Sequence, residues 1–301
     1  MSSSNIEAEK CCALCGVAEV DDTKLKECDG CDLVRYCSDE CQQDHGPEHE
    51  EACKKRAAVL RDEILFRKPE SNHPGDCLIC CLPIPIGNNE CVQYSCCSKV
   101  ICNGCSYASQ VRQERVGPTC PFCRHALPRT REEVDRNNSK RAEANDPFAM
   151  RKLGETRYHE GDYEGAFIYW TKASELGEAM SHYNLSILYK KGEGVETDEK
   201  KEVHHLEEAA IAGYPQARNE LAFREGKMKR FDRAVKHWMI NANLGHDESL
   251  KALKSFYKFG YVSKDDFAAA LRAYHAAVKA TKSPQRDAAA KAVRDQDVRL
   301  W

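Results

Sequence analysis

Residues 12–53 read CALCGVAEVDDTKLKECDGCDLVRYCSDECQQDHGPEHEEAC. Eight side chains in this stretch can bind a metal through sulfur or imidazole nitrogen, and they form four closely spaced pairs. The pairs are Cys12-x2-Cys15, Cys28-x2-Cys31, Cys37-x3-Cys41 and His49-x3-Cys53. Zinc takes four such donors, and a two-residue gap lets both thiolates of a pair reach one ion. The last two pairs have i,i+4 spacing, which places each on one helix face, and Pro47 suits the first turn of the second helix. The stretch therefore predicts two closed zinc sites.

The same stretch resembles a MYND finger. The resemblance is carried by the CxxC pairs, by YCSDECQ at residues 36–42 and by the His-x3-Cys ending. It implies that the two sites interleave along the chain. One ion would be held by Cys12, Cys15, Cys37 and Cys41, and the other by Cys28, Cys31, His49 and Cys53.

Three residues of this segment differ from the family pattern or compete with its ligands. MYND fingers usually carry Trp three residues before the ligand His, where this chain has Gly46. We therefore expect an altered groove for the short proline-containing segments that such fingers take. Cys11 is expected to be a spare thiol, because its distance to Cys15 is wrong for a knuckle. His45 is an alternative ligand to His49, which has the better offset from the neighbouring cysteines.

A second group of cysteines occupies residues 77–123 and again offers eight thiols, enough for two closed sites. The pairs are Cys77-x2-Cys80, Cys96-Cys97, Cys102-x2-Cys105 and Cys120-x2-Cys123. The adjacent pair is the weakest, because two neighbouring residues must both reach one ion, and Cys81 and Cys91 remain alternatives for that site.

This second segment resembles a RING finger of the all-cysteine type. The resemblance implies one ion on Cys77, Cys80, Cys102 and Cys105, and another on Cys96, Cys97, Cys120 and Cys123. It also implies ubiquitin-protein ligase activity, in which the finger binds a ubiquitin-conjugating enzyme and positions its thioester without a nucleophile of its own. Ile79, Pro121 and Arg124 match the partner-binding positions of such ligases, with Arg124 as a fork of donors to two partners. The alternative is a non-catalytic scaffold, in which Ile79 and Pro121 pack the knuckles and Arg124 is a surface charge.

Beyond the last cysteine the pattern changes to a repeat of 32 to 36 residues. Leucines, helix-ending glycines, small residues and large apolar residues each recur at that interval. They are Leu153, Leu185, Leu221 and Leu253; Gly177, Gly213 and Gly245; Ala149, Ser181, Ala217 and Ser249; Trp170, Leu206 and Trp238. Such a period predicts a solenoid of helix-turn-helix units. The segment resembles Sel-one-like repeats, relatives of the tetratricopeptide repeat, which implies a concave surface for proteins or peptides. Trp170 and Trp238 are expected in the core, and His204 and His205 on exposed helix faces.

The sequence thus predicts a mostly α fold, in which two small cross-braced zinc modules precede an α-solenoid. The predicted order is a MYND-type finger (12–53), a helix and linker (54–76), a RING-type finger (77–124), a charged helical linker (125–145), repeats (146–280) and a frayed tail (281–301). This order, and segments such as KKRAAVLRDEILF and CPFCR, resemble a group of diatom and other stramenopile proteins.

The composition limits the partners and the compartment. The net charge of −3 gives no basic field for nucleic acid. No stretch is apolar enough for a membrane span, and the first ten residues contain no apolar signal core. We therefore expect a reducing compartment, cytoplasmic or nuclear, in which CxxC pairs hold zinc rather than disulfides. The expected content is about four structural zinc ions per chain, and the expected partners are proteins or peptides.

Overall fold

The computed structural model describes residues 11–19, 24–69, 73–87, 90–113 and 118–295. Within these ranges the protein has twelve helices and two small two-stranded sheets. The chain divides into two compact units, residues 1–67 and 68–301. The predicted fold class, a mostly helical protein with cysteine-rich modules ahead of a helical repeat, is confirmed.

The first unit pairs two short strands and then continues as one long helix. Strands β1 (Lys26–Glu27) and β2 (Arg35–Tyr36) are antiparallel. Helix α1 (Asp39–Leu65) begins after Ser38, whose hydroxyl accepts a hydrogen bond from the Cys41 N–H. This N-cap satisfies one of the backbone donors that a helix start leaves without a partner.

Helix α1 runs through Pro47, so the prediction that Pro47 begins a second helix is wrong. A proline ring normally clashes with the Cβ of the preceding residue and disfavours helix there. The preceding residue is Gly46, which has no Cβ. Gly46 removes this clash, while the missing N–H of Pro47 costs one backbone hydrogen bond. The helix continues through both residues, so that Cys41, His49 and Cys53 lie on one continuous element.

The second unit begins with the second cysteine-rich segment, which we call the second finger (residues 77–124). Strands β3 (Cys91–Gln93) and β4 (Val100–Cys102) are antiparallel. Helix α2 (Asn103–Gln113) follows directly. Ile84 and Ile101 are completely buried in the small core of the finger, so this module buries some apolar surface besides its thiols.

The remainder of the second unit is a helical array in which each helix packs against the next. Helix α3 (Arg131–Glu143) precedes four consecutive helix pairs. The pairs are α4 (Pro147–His159) with α5 (Tyr163–Glu175), α6 (Ala179–Lys191) with α7 (Glu199–Ile211), α8 (Pro215–Lys227) with α9 (Phe231–Asn243), and α10 (Asp247–Lys258) with α11 (Lys264–Ala280). Among the described residues, no helix has both the length and the apolar character that a membrane span requires.

The repeat positions found in the sequence have equivalent roles in the array. The small residues Ala149, Ser181, Ala217 and Ser249 are completely buried on the first helix of each pair. Trp170 and Trp238 are buried, as predicted, and the indole N–H of each donates to a residue 19 positions earlier, at 3.2 and 3.1 Å respectively. Gly177, Gly213 and Gly245 follow the second helices with φ of +81°, +84° and +94°, the left-handed conformation of a helix C-terminus.

One histidine prediction is wrong. His204 is exposed, as predicted, but His205 is half-buried and stacks on the ring of Tyr189. Its Nδ1 lies 3.0 Å from the Nδ1 of His182 on the preceding helix. Burial lowers the pKa of His205 to about 4, so this imidazole is neutral at physiological pH and belongs to the packing between helices α6 and α7.

Helix α3 forms inside the segment predicted as a charged helical linker, and it contacts the second finger. The Asn137 amide donates to the Ser95 hydroxyl at 3.2 Å, and Arg141 Nε donates to the Ser98 hydroxyl at 2.9 Å. Polar side chains make these contacts, so the sequence has no apolar stripe from which they could be predicted.

The segment predicted as a frayed tail contains an ordered helix. Helix α12 (Pro284–Arg294) begins at the N-cap Ser283 and packs against helix α2 of the second finger. Ala289 and Ala292 are buried in this contact at 1% and 6% exposure. Small side chains let two helices approach closely, which explains why an alanine-rich sequence is docked here. Residues 296–301 lie outside the described ranges.

Candidate metal centres

Eight of the predicted ligands form two groups in the first unit. In site 1 the Sγ atoms of Cys15 and Cys37 lie 3.4 Å apart, and those of Cys37 and Cys41 lie 3.6 Å apart. The group is completed by the buried Cys12, and all four donor atoms lie within 4.8 Å of one another. The turn that holds Cys12 and Cys15 pairs with strand β2 through Cys12 and Arg35, and Cys37 and Cys41 follow this strand just before and just inside the start of helix α1.

Site 2 contains an imidazole. The His49 Nε2 lies 3.2 Å from the Cys31 Sγ, and the Cys28 and Cys53 Sγ atoms lie 3.7 Å apart. All four donors again lie within 4.8 Å of one another. His45, the alternative ligand, is outside the group, and its Nδ1 lies 3.0 Å from the Tyr36 hydroxyl.

The second finger contains the other two groups. Site 3 is Cys77, Cys80, Cys102 and Cys105, and site 4 is Cys96, Cys97, Cys120 and Cys123. The Sγ atoms of Cys80 and Cys102 lie 3.8 Å apart, while those of Cys97 and Cys120 lie 3.6 Å apart. Cys81 and Cys91, the alternatives for the adjacent pair, belong to neither group.

The donor geometry fits zinc. Zinc–sulfur bonds of about 2.3 Å at tetrahedral angles place neighbouring sulfur atoms about 3.8 Å apart. The closest sulfur pairs of the four groups are 3.3 to 3.8 Å apart. A disulfide would need about 2.05 Å. Each group can therefore hold one zinc ion with four protein ligands.

Three of the cysteine pairs share one backbone turn. The N–H of the residue after the second cysteine donates to the carbonyl of the first: Gly16 to Cys12 at 3.0 Å, Cys81 to Cys77 at 2.8 Å, and Arg124 to Cys120 at 3.0 Å. The donor residue has a left-handed φ in each case, +74°, +55° and +59°. Only Gly16 is a glycine, so the turn holds the non-glycine residues Cys81 and Arg124 in the left-handed conformation as well.

The same turn explains how adjacent cysteines serve site 4. The Ser98 N–H donates to the Tyr94 carbonyl at 2.7 Å, and Ser98 has a φ of +54°. Tyr94 thus occupies the position that the first cysteine takes in the other knuckles. Cys97 occupies the second position, and Cys96 joins the group from inside the turn. The sequence pattern does not reveal this substitution, because Tyr94 carries no ligand atom for zinc.

One thiol in each group has a lowered pKa. Burial raises the pKa of Cys12, but backbone N–H groups of Cys15, Cys37 and Leu14 outweigh it and bring the pKa to about 6. The pKa of Cys77 falls to about 7 in the same way, with the N–H groups of Cys80, Cys102 and Ile79 opposing burial. Cys28 in site 2 and Cys123 in site 4 also have lowered pKa values.

The remaining thiols of the groups are mostly shifted the other way. Hydrogen bonding to Cys15 raises the pKa of Cys37 to about 12, and burial with hydrogen bonding to Cys28 raises that of Cys53 to about 11. Each group therefore contains one thiol with a lowered pKa beside at least one thiol with a raised pKa. A zinc ion supplies the positive charge that lets the whole group ionise, so binding displaces protons.

The three predicted partner-binding residues of the second finger are not all in one place. Ile79 and Pro121 line one cavity of about 320 Å³, together with Ser109 and Arg112 of helix α2. Arg124 is exposed and is not part of the cavity lining. Its left-handed backbone belongs to the knuckle turn.

Comparison with known proteins identifies part of the chain. Residues 12–53 match the family model of the MYND finger, a zinc-binding module. The match does not extend to the second finger. No curated protein matches this chain.

Solved structures of repeat proteins are similar to the chain over a longer range. A Sel1 repeat protein from Oxalobacter formigenes is 20% identical, with a TM-score of 0.44, over 60% of this chain and 72% of that chain. The second is c5321, a protective antigen of uropathogenic Escherichia coli strains displaying an SLR fold. It is 17% identical, with a TM-score of 0.38, over 66% of this chain and 42% of that chain.

Proposed function

We propose that this protein is a non-catalytic scaffold whose zinc-bound fingers and helical repeat each present a surface to a protein partner. The observation that carries the proposal is the composition of the four ligand groups. Three groups offer four thiols, and one offers three thiols and an imidazole. A zinc ion in such a group has all four positions filled by protein and none for water or substrate, as in structural sites.

A cavity in the first finger supports a peptide partner. It has a volume of about 290 Å³ and lies along helix α1 beside site 2, where Gln42, Gly46 and Glu50 line it with Tyr36. Gly46 stands where MYND fingers usually carry Trp, and a Cβ at this position would meet nothing within 4 Å. The absent indole therefore leaves open space next to the zinc site. We propose that this space takes a short proline-containing segment, the ligand class that the MYND resemblance implies.

A second cavity supports a partner on the repeat. It has a volume of about 500 Å³ and lies between helices α4 and α6, where Tyr158, Asn184, Ile187 and Lys190 line it. The lining combines Tyr158 and Ile187 with polar and charged side chains, and surfaces that bind proteins are enriched in aromatic residues within a polar rim. The repeat thus offers its own partner site within the second unit.

Filling the first cavity is expected to weaken peptide binding. Gln42 lines the cavity, while the next residue, Gln43, is exposed on the same helix and does not line it. Gln42→Trp should raise the Kd for a proline-containing peptide selected on the intact protein by about tenfold, equivalent to about 1.4 kcal/mol. Gln43→Trp is the matched control and should leave the Kd unchanged. Equal effects of the two variants, or no selected peptide on the zinc-loaded chain, would count against a peptide groove here.

A second candidate function is that of a RING-type ubiquitin-protein ligase. The observation that favours it is the shared cavity of Ile79 and Pro121, the two apolar positions that such ligases offer to a ubiquitin-conjugating enzyme. Ile79 is 46% exposed and available to a partner. The exposed Arg124 would supply the donor fork that the resemblance implies.

An autoubiquitination assay with a panel of conjugating enzymes separates the two functions. The scaffold proposal predicts no activity above background. The ligase candidate predicts activity that Ile79→Ala combined with Arg124→Ala abolishes, while the control Leu78→Ala, an exposed neighbour outside the cavity, retains it.

A further inference from the structure

The guanidinium of Arg286, in the first turn of helix α12, reaches the first knuckle of the second finger. Its Nη1 donates to the carbonyl of Pro83 at 2.7 Å and to that of Thr281 at 2.6 Å. Its Nη2 donates to the carbonyl of Leu82 at 3.2 Å and lies 3.6 Å from the Sγ of Cys80. Three carbonyls therefore fix the side chain, and one of its donors is directed at a thiol of site 3.

The backbone of helix α12 is seated equally closely. Gly104 lies in helix α2 between two members of site 3, and a Cβ on it would be 2.7 Å from the Arg286 nitrogen and 2.8 Å from the Gln285 carbonyl carbon. Ala289 and Ala292, about one and two turns further along α12, are also buried. Helices α12 and α2 pack against each other, and at Gly104 the approach is too close for any side chain.

We propose that helix α12 is part of the second finger and that Arg286 is a positioning residue for zinc at site 3. The proposal rests on the assignment of Cys77, Cys80, Cys102 and Cys105 as zinc ligands. A zinc ion with four thiolates carries a net negative charge, which a neighbouring guanidinium offsets. A donor to a ligand sulfur also orients that ligand, and removal of such outer partners commonly costs 10- to 100-fold in metal affinity.

The coupling runs in both directions, because linkage between two binding events is reciprocal. Docked α12 strengthens zinc binding at site 3, and zinc at site 3 strengthens the docking of α12. Gln285 lines the cavity of Ile79 and Pro121, so α12 also forms one wall of that cavity. Loss of zinc from site 3 therefore opens this wall of the cavity.

Zinc competition and hydrogen exchange on the full chain test the proposal. Arg286→Ala should lower the zinc affinity of one of the four sites by 10- to 100-fold. It should also raise the rate of amide hydrogen exchange in residues 284–294. Arg294→Ala is the matched control, because Arg294 is exposed at the end of the same helix. It should retain wild-type affinity and exchange. Four zinc affinities equal to those of wild type in Arg286→Ala would overturn the role of Arg286.

A second pair of variants undocks the helix without touching Arg286. Ala289→Glu places a charge in the buried contact, whereas Ala290→Glu places the same charge on the exposed side. Ala289→Glu should lower the zinc affinity of one site, and Ala290→Glu should leave all zinc affinities unchanged. Equal zinc affinities in the two variants would overturn the coupling. The unmodified chain separates this test from the ligand assignment. If the unmodified chain does not bind zinc at site 3, the assignment of the ligands is overturned. If it binds zinc there and the variants have the same zinc affinity as wild type, only the role of α12 is overturned.

Discussion

Removal of zinc from the intact protein is expected to unfold both cysteine-rich segments and to leave most of the repeat helicity in place. Among the described residues of the first unit, the buried side chains besides the ligands Cys12, Cys31 and His49 are Tyr36 and Leu65. Its two strands are only two residues long. A segment of this size rarely folds without a metal or disulfides, and structural zinc supplies on the order of 10–16 kcal/mol.

The repeat has an independent source of stability. Trp170, Leu185, Trp238 and Leu253 are all at most 3% exposed, and burial of each such side chain contributes about 1.5–3 kcal/mol. We expect a chelator to remove the helical signal of α1 and α2 but to keep that of α4 to α11.

Circular dichroism with hydrogen exchange during chelation measures this difference, and renewed addition of zinc is the control for reversibility. Amide protection should disappear in residues 39–65 and 91–113 and persist across 147–280. Unfolding of the repeat together with the fingers would contradict the account, as would fingers that keep their protection without metal.

Replacement of Arg151 is expected to cause a large loss of stability for a polar side chain of the repeat. Arg151 is 5% exposed, its Nε lies 3.2 Å from Glu178 Oε1, and its Nη2 donates to Gln93 Oε1 of strand β3 at 3.0 Å. It also pairs with Glu155 on the same helix. One side chain thus ties the second finger to two helices of the repeat.

Arg151→Met should lower the free energy of unfolding by about 3–5 kcal/mol, because it removes the guanidinium that faces the buried Glu178 carboxylate. The carboxylate, 4% exposed, then keeps only the His73 imidazole nearby, with Nε2 3.5 Å from its Oε1. Arg157→Met on the same helix is the matched control, since Arg157 is half-exposed and pairs only at the surface. Its expected effect is within about 0.5 kcal/mol.

Denaturant unfolding of the two variants measures the difference, with Arg151→Met/Glu178→Gln as a third chain. The double variant should recover part of the loss, because it leaves no unpaired buried charge. A decrease in the free energy of unfolding of less than about 1 kcal/mol in Arg151→Met would show that the buried ion pair contributes little to the contact between the second finger and the repeat.

The zinc sites and the repeat are the parts of this protein that its sequence predicts well. Each site takes two pairs of ligands, and the short fixed spacing within a pair, such as Cys12 with Cys15, can be recognised in the sequence. The combination of distant pairs at one ion follows no spacing rule and was implied by the resemblance to known fingers. The repeat is recognisable because small residues such as Ala149 and Ala217 recur where helices touch.

Contacts between distant segments could not be predicted, for two physical reasons. Helix α12 buries only alanine and the stem of Arg286, so its sequence lacks the apolar stripe that marks a docked helix. Helix α3 contacts the second finger through Asn137 and Arg141, whose hydrogen bonds follow no periodicity. The continuity of α1 through Pro47 depends on the neighbouring Gly46, a local compensation that outweighs the usual behaviour of proline.

The zinc content of the intact chain tests the central claim most directly. Native mass spectrometry of protein purified without chelator should show four zinc ions per chain, one for each of the four ligand groups. The cobalt-substituted chain should show the absorption of all-thiolate sites together with that of one site with three thiolates and an imidazole. His49→Ala should abolish the second contribution. A chain that holds two zinc ions at saturation would contradict the claim, because one of the two cysteine-rich segments would then fold without metal.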